Sequence, residues 1–360
     1  MRYEKIIFCA DRPDRGAGGG AAGVMFLLRK YLRSPKLSTE YLYRNENRLA
    51  FIRSLIQKAI CERKTYYICH EPDSAAILGL LRKPYSMVYH QQGPITQEYV
   101  NHESNPTRFK IAKKKFIEKT AFLNADKVYF PSSGAAMEYF SSPYATVDKT
   151  KVVVGEPLYN TISLDEDMIP IDEICADPQS VTFLSVGTMS KLKGQDLTFS
   201  FIEKLVNTIS CKVRWITVGD GLIKNEVFSK ARDLEQRQEN FTYIHFDKLP
   251  HGSVLYLGMI SDAYIMLHRS SIFDLATLEA MNNCCAIILS DIGGNRDFNK
   301  ESNCIMVDLQ NISKGVGLFL NADISVLKNS SKKVFDEYFS PTCFSERYAN
   351  LISEICCDDM

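Results

Sequence analysis

Residues 181–194 read V-T-F-L-S-V-G-T-M-S-K-L-K-G, and this stretch decides the predicted fold. Its first six residues are mostly apolar or β-branched, which is typical of a strand buried on both faces. Gly187 ends the run, and Lys193-Gly194 leads into a helix-length segment. Because strand, loop and helix in this order form the beginning of a βαβ unit, we predict a parallel α/β sheet.

Short apolar runs alternate with helix-length segments on both sides of this stretch. The predicted strands before it are residues 5–9, 66–69, 86–89, 127–130 and 151–154, and those after it are 213–218, 243–246, 264–267, 286–289 and 304–307. An acidic segment with Pro170 and Pro178 separates the two series. We therefore predict two doubly wound, Rossmann-like domains at 1–160 and 179–338, a linker at 161–178 and a C-terminal helix at 339–360.

The overall charge balance hides an asymmetry between the two halves. The 360 residues include 43 Lys+Arg and 43 Asp+Glu, and 45% are hydrophobic, which excludes a disordered chain. Residues 1–159 contain 25 basic and 15 acidic residues, whereas residues 160–360 contain 18 and 28. The first half is therefore expected to meet an anionic partner.

The cysteines and the N-terminal residues limit the compartment. The 11 cysteines show no Cys-x-x-Cys and no zinc-ligand spacing, so we expect reduced thiols and no structural metal. The apolar run at 6–10 is short, and no stretch has 18 apolar residues. These features predict a cytoplasmic protein, soluble or on a membrane surface.

A glycine-rich loop follows the first predicted strand. Residues 15–23 read R-G-A-G-G-G-A-A-G, and Gly18, Gly20 and Gly23 fit G-x-G-x-x-G before a helix. Backbone at Gly19 and Gly20 could approach a phosphate at the helix start. Seven residues separate strand and motif, and no acidic residue ends the next strand, which argues against dinucleotide binding. A phosphate- or acceptor-facing loop, a structural turn and an NAD(P) site remain open, in that order.

Four motifs follow one another in the second half. They are residues 181–194, the turn V-G-D-G at 218–221, S-S-I-F-D-L-A-T-L-E-A-M at 270–281 and L-S-D-I-G-G-N-R-D at 289–297. In this order they resemble the nucleotide-sugar domain of the retaining glycosyltransferases of family four. That family has the GT-B fold and includes bacterial surface-polysaccharide glycosyltransferases. The resemblance implies that the two domains face a cleft and that the C-terminal helix packs back on the first domain.

The loop at 187–194 matches the family's Gly-Arg and Lys-Gly pairs. Gly187 and Lys193 are kept, but Thr188 stands where the family has arginine. The resemblance implies that Lys193 contacts the donor diphosphate, with Arg269 or Lys191 as candidate substitutes for the missing arginine.

The family motif E-x-F-G-x-x-x-L-E-A begins at residue 271. Glu279 matches the glutamate that holds the ribose hydroxyls, whereas Ser271 replaces the glutamate beside the donor sugar and Asp274 replaces the loop glycine. The resemblance implies further donor contacts at Gly219, Phe273, Leu275, Gly293 and Gly294, the last two as backbone amides near the diphosphate.

The first half carries a matching strand-His-loop arrangement. Residues 66–72 read Y-Y-I-C-H-E-P and residues 88–93 read V-Y-H-Q-Q-G. By resemblance, His90 lies near the donor sugar, and Gln91 and Gln92 are candidate acceptor contacts. His70 is interpreted as a structural or acceptor-side residue.

A basic segment with an apolar period suggests a membrane surface. The basic residues share one predicted helix and are Arg108, Lys110, Lys113, Lys114, Lys115 and Lys119. Phe109, Ala112, Phe116, Thr120 and Leu123 recur at helical spacing. We expect this helix to lie on an anionic membrane, although the apolar stripe could equally be a core face with a solvated basic side.

The resemblance as a whole implies sugar transfer from a nucleoside diphosphate sugar to a hydroxyl of a glycan acceptor, often lipid-linked, with retention of configuration. The expected catalytic residues are His90, Lys193 and Glu279, and no cofactor or metal is expected beyond the nucleotide sugar as co-substrate. The Asp-Glu-Asp at 165–167 is a weak metal candidate, and no nucleic-acid-binding motif is visible. The alternatives are a degenerate binding subunit, suggested by Thr188 and Ser271, an NAD(P)-dependent oxidoreductase and a sugar-nucleotide epimerase.

Overall fold

A computed structural model describes residues 3–12, 20–32, 37–44, 47–102, 105–172 and 174–357. The chain divides into two compact units, one formed by Met1–Ser163 with Ser340–Met360 and the other by Leu164–Phe339. The boundary falls inside the segment 161–178 that we predicted as a linker. Most of that segment belongs to the second unit, where the amide of Ile169 donates to the carbonyl oxygen of Gly252 at 3.0 Å.

The first unit alternates buried strands with helices that cover the sheet. Its elements are β1 (Lys5–Ala10), α1 (Gly20–Tyr31), β2 (Ser38–Tyr43), α2 (Arg48–Cys61), β3 (Thr65–Cys69), α3 (Pro72–Leu80), β4 (Tyr85–Val88), α4 (Ile95–His102), α5 (Arg108–Leu123), β5 (Lys127–Tyr129) and α6 (Ser133–Ser141). The strands pair in parallel in the order β2-β1-β3-β4-β5. The strand order reverses between β1 and β3, and ligands of open α/β sheets bind beside such a point.

Two features of this sheet differ from the sequence-based prediction. β2 reads S-T-E-Y-L-Y and is half exposed at the sheet edge. It therefore lacks the continuous apolar run from which the other strands were predicted. Residues 151–154 were predicted as a strand because three valines follow Lys151. Asp148 instead caps a 3-10 turn at Lys149–Lys151, and Val154 makes a single bridge to Val128 at the opposite edge.

The second unit repeats the architecture. Its elements are β6 (Ser180–Val186), α7 (Gln195–Val206), β7 (Lys212–Val218), α8 (Lys224–Arg237), β8 (Phe241–Phe246), α9 (His251–Met259), β9 (Ala263–Met266), α10 (Leu275–Asn282), β10 (Ala286–Ser290), β11 (Cys304–Val307), α11 (Ile312–Leu320) and α12 (Ile324–Val334). All the strands predicted in this half are confirmed. The parallel order is β11-β10-β9-β6-β7-β8, so the strand order reverses between β6 and β9.

The chain's single tryptophan lies at the centre of the second unit. Trp215 on β7 is fully buried, and its indole N–H donates to the hydroxyl of Ser185 at 3.0 Å. Its ring lies 5.2 Å from that of Tyr243. Because the indole N–H has a partner, the large ring is buried without an unsatisfied donor.

The C-terminal helix α13 (Pro341–Cys357) belongs to the first unit, as the resemblance implied. Its buried face packs into the core formed by β1 and α1, and consists of Phe344, Tyr348, Leu351, Ile352 and Ile355. This spacing repeats every three to four residues, which is the period of a helix with one apolar face.

Candidate functional site

The loop that follows β6 is held against the segment that follows β9. Gly194 has a φ of +72° and begins α7 as its N-cap. A Cβ at this position would overlap the carbonyl oxygen of Leu267, the residue after β9. Glycine therefore permits the close approach that places Lys193 beside residues 268–274.

Lys193 forms an ion pair with Asp274 across the point where the strand order reverses. Its Nζ lies 2.6 Å from Oδ1 of Asp274, and the hydroxyl of Tyr264 donates to Oδ2 of the same carboxylate at 3.2 Å. Burial raises the pKa of Asp274, but the ammonium of Lys193 outweighs it, and the pKa falls to about 2. The lysine expected to meet a diphosphate is thus already paired with a carboxylate.

The position of the family's arginine carries no cation in this chain. Thr188 is exposed, and its carbonyl oxygen accepts a hydrogen bond from Gln195 at 3.0 Å. Arg269 binds Asp196 through two nitrogens at 2.8 Å, and Lys191 binds the same carboxylate at 3.2 Å. Lys191 also pairs with Glu226 at 3.0 Å, so both candidate substitutes for the arginine already have carboxylate partners.

The segment after β9 contributes backbone as well as side chains. Ser271 is buried, and its carbonyl oxygen accepts from the Gly294 amide at 2.7 Å. Phe273 is also buried and stacks on Phe298 with ring centroids 4.3 Å apart. The ring predicted as a donor contact is thus part of the core, because apolar partners cover it. Leu275 begins α10 and is half-buried.

The other glycines of the candidate site bring its loops together. Gly187 and Gly219 have φ values of +145° and +143°. A Cβ on Gly219 would overlap the carbonyl oxygen of Gly187, so the loops after β6 and β7 are in direct contact. Gly293 begins a short 3-10 helix, and the adjacent Gly294 amide is engaged with Ser271. The Gly294 amide therefore joins two loops. Its N–H donates to Ser271, whereas we predicted that it would face the diphosphate of the nucleotide sugar.

Glu279 on α10 is held by a histidine that we had not identified. Nε2 of His251 lies 2.8 Å from Oε1 of Glu279, and Nδ1 lies 2.5 Å from Oε2 of Glu166. The hydrogen bond to Glu279 raises the pKa of His251 to about 9, with burial acting in the opposite direction. His251 is therefore charged at neutral pH.

His70, which is fully buried, and His90, which is partly buried, form a pair in the first unit. Nδ1 of His70 lies 3.0 Å from Nε2 of His90, and the stacked rings have centroids 5.2 Å apart. Burial lowers the pKa of His90 to about 4 and holds the pKa of His70 well below its usual range. Both rings are therefore neutral at pH 7, with one nitrogen donating to the other.

A polar cavity of about 420 Å³ opens beside the point where the first sheet reverses its strand order. Gln91 lines it, together with residues that follow β1 and β3. Nε of Arg12 lies 2.6 Å from Glu71, and Nε of Arg48 lies 2.8 Å from Asp11. The guanidinium groups are about half exposed, whereas both carboxylates are buried. The wall of the cavity therefore presents N–H donors, and the carboxylates lie behind them.

The remaining predicted contacts in the first unit have separate outcomes. The amide of Gln92 donates to Glu98 at 2.6 Å, which fixes the loop beside Gln91. Gly20 is the first residue of α1, and Gly19 lies outside the described residues.

The sequence motifs did not reveal His251, its pairing with Glu166 or the arginines of the cavity. His251 lies 28 residues before Glu279, and no motif links them. One feature of the sequence could have identified His251. It begins a helix that follows a strand, so it lies at the same edge of the sheet as the other site residues.

Comparisons with known proteins agree with this architecture. Residues 173–328 match the family of glycosyl transferases group 1. None of the curated proteins matches the sequence.

Several solved structures share the fold at low sequence identity. HepE of Anabaena in complex with UDP and glucose is 12% identical, with a TM-score of 0.64 over 98% of this chain and 100% of that chain. The lipopolysaccharide outer core galactosyltransferase WaaB is 17% identical, with a TM-score of 0.64 over 97% and 99%.

A mutant of S. aureus TarM in complex with Fondaparinux, alpha-GlcNAc-glycerol and UDP is 15% identical, with a TM-score of 0.58 over 85% of this chain. This chain spans 59% of the length of that TarM chain. The predicted two-domain α/β GT-B fold is confirmed, and the match to glycosyl transferases group 1 lies within the second unit.

Proposed function

We propose that the protein transfers a sugar from a nucleoside diphosphate sugar to a hydroxyl of a glycan acceptor, with retention of anomeric configuration. The observation that carries this proposal is the ion pair of Lys193 with Asp274, which joins the loops after β6 and β9, together with Glu279 on the helix that follows β9. They lie at the carboxyl edge of a sheet whose strand order reverses there. Nucleotides bind at such edges in α/β folds.

In this proposal Lys193 contacts the donor diphosphate and Glu279 accepts from the ribose hydroxyls. Negative charge develops on the leaving diphosphate in the transition state, so a fixed cation there accelerates transfer more than it strengthens ground-state binding. Lys193 must exchange or share its partner Asp274 when the donor arrives. His90, neutral at pH 7, serves as a hydrogen-bonding group near the sugar rather than as a cation.

The cavity lined by Gln91 is the proposed acceptor site. The partly exposed guanidinium groups of Arg12 and Arg48 are held by buried carboxylates and offer N–H donors to the hydroxyl oxygens of a ligand. We place the reaction in cell-surface polysaccharide assembly on the cytoplasmic side of the membrane, with a lipid-linked glycan as acceptor.

Glu279→Gln is expected to weaken nucleoside diphosphate binding about 10-fold, because an amide replaces a carboxylate that accepts charge-assisted hydrogen bonds. Calorimetric titration of the full chain with UDP, GDP, ADP and dTDP measures this. Glu203→Gln, at a partly exposed carboxylate on α7 that pairs with Arg237, is the matched control and should leave binding unchanged. A wild-type chain that binds none of these nucleotides contradicts the proposal.

The alternative of a degenerate binding subunit draws on Thr188, Ser271 and the pairing of Lys193 with Asp274. It differs from the enzyme in one measurable way. Nucleotide sugar would bind, but neither transfer nor slow donor hydrolysis would occur over a panel of glycan acceptors.

Helix α5 presents an apolar and basic surface to solvent. Phe109 is 78% exposed, Phe116 58% and Leu123 43%, whereas Ala121 and Phe122 form the buried face. Within the part of the chain that the structure describes, no helix is long and apolar enough to cross a membrane. An exposed aromatic stripe flanked by lysines favours binding in the plane of an anionic bilayer surface.

Replacing both Phe109 and Phe116 with serine is expected to weaken binding to vesicles containing phosphatidylglycerol by about 10-fold or more, since each phenyl ring loses its transfer into the interface. Co-sedimentation measures the bound fraction. Leu222→Ser, at a residue 98% exposed in the second unit, is the control for loss of an exposed apolar side chain. Equal binding by the double variant and the wild type excludes this surface.

A further inference from the structure

The imidazole of His251 bridges two carboxylates from different parts of the second unit. Glu279 comes from α10, and Glu166 comes from the segment that precedes β6. The side chains of Glu279, His251 and Glu166 are 18%, 40% and 44% exposed. His251 thus connects Glu279, the proposed ribose-binding residue, to the segment that contains Glu166. That segment has no role in nucleotide binding in the proposed function.

The backbone around this bridge is tightly packed. The amide of Ile169 donates to the carbonyl oxygen of Gly252, the residue after His251. A Cβ on Gly252 would overlap the carbonyl oxygen of Asp167. Glu166 is therefore anchored next to the first turn of α9, so its contact with His251 is part of a fixed arrangement rather than a chance meeting of two surface side chains.

The position of His251 at a helix N-terminus disfavours the protonated form of its ring. It is the first residue of α9, where the helix dipole disfavours a cation. The two carboxylates outweigh that effect. β6, which also packs against α9, contains no titratable residue, so Glu279 and Glu166 are the charged groups that act on the ring.

We infer that His251 is a positioning residue for Glu279, whose carboxylate it orients so that the remaining oxygen accepts the ribose hydroxyls of the donor nucleotide. This inference rests on the proposed function. A ring that donates from both nitrogens can hold both carboxylates at once, whereas a neutral ring donates from one nitrogen only. Positioning is therefore complete when the ring is charged.

The pH dependence follows from the direction of the shift. The pKa of His251 is raised to about 9, so the charged ring persists throughout the neutral range and is lost as the pH rises through about 9. Nucleotide affinity should fall over the same interval.

His251→Gln tests the inference, because glutamine has a single donor nitrogen, cannot bridge the two carboxylates from opposite sides as a charged imidazole does, and does not titrate. Full-length wild type, His251→Gln and Glu166→Gln are titrated by calorimetry between pH 7 and 10 with whichever of UDP, GDP, ADP and dTDP binds the wild type. At pH 7.5 we expect His251→Gln to bind about 10-fold more weakly and Glu166→Gln to lose less. The ratio of wild-type to His251→Gln affinity should shrink toward pH 10, and this ratio cancels titration of the nucleotide itself.

Two further measurements separate positioning from a merely structural role. The donor KM should rise in His251→Gln while kcat is kept, and adding Glu279→Gln to His251→Gln should weaken binding by less than Glu279→Gln does alone. A wild type that binds no nucleoside diphosphate overturns the proposed function, and this inference with it. If the wild type binds and His251→Gln binds equally with the same pH profile, His251 has no positioning role and the proposed function stands.

Discussion

Replacing Lys193 with methionine is expected to lower kcat/KM for sugar transfer by about 100- to 1,000-fold. The ammonium is the group proposed to face the charge that develops on the leaving diphosphate. Methionine keeps an unbranched side chain of similar length, so the loop keeps much of its packing. Initial rates of transfer, or of donor hydrolysis, measure the effect.

The carboxylate of Asp274 contributes to the loss of activity in Lys193→Met, and a double variant measures this contribution separately. Without Lys193 it stays buried beside Tyr264 and repels the diphosphate. The double variant Lys193→Met/Asp274→Asn removes that repulsion and should recover about 10-fold of the lost activity. Thermal melting of both variants shows whether the fold is kept. A Lys193→Met chain within threefold of wild-type activity would exclude the contact between Lys193 and the diphosphate.

Gly194→Ala is expected to destabilise the second unit by about 3 kcal/mol or more. The φ of +72° disfavours a side chain, and the added Cβ would overlap the carbonyl oxygen of Leu267. The loop after β6 would have to move away from β9, taking Lys193 away from its site. Trp215 is the only tryptophan and lies in this unit, so its fluorescence during denaturant unfolding reports the change.

Gly317→Ala is the matched control for this change. Gly317 lies within α11, and no atom comes within 4 Å of a Cβ at that position. Alanine there should stabilise the helix by about 0.5–1 kcal/mol, because glycine is the poorer helix former. If the two variants unfold at the same denaturant concentration, backbone strain at Gly194 is not what fixes this loop.

The sequence predicts the strands that are buried on both faces and fails where burial is partial. Continuous apolar runs located β6 to β11. The edge strand β2 begins with three polar residues, and the valines at 152–154 follow a 3-10 turn and form a single bridge to Val128 instead of a strand. Helix α5 was ambiguous because it has apolar residues on two faces, and only packing shows that Phe122 is inside and Phe116 outside.

The candidate site divides along similar lines. Local motifs locate Lys193 and Glu279, because the spacing of a loop and a helix is recorded in consecutive residues. Their partners Asp274 and His251 come from elements 81 and 28 residues away. Such pairs depend on which strands are neighbours in the sheet. Strand order cannot be predicted from any single segment of the sequence.

The return of α13 to the first unit affects the order in which the protein can fold. Residues of α13 such as Phe344 and Tyr348 complete a core whose other members come from residues 3–158, for example Phe8 and Val24. During translation the second unit is fully synthesised before these residues leave the ribosome. The second unit can therefore fold first, while the nascent first unit still exposes apolar surface beside α1 and is prone to aggregation there.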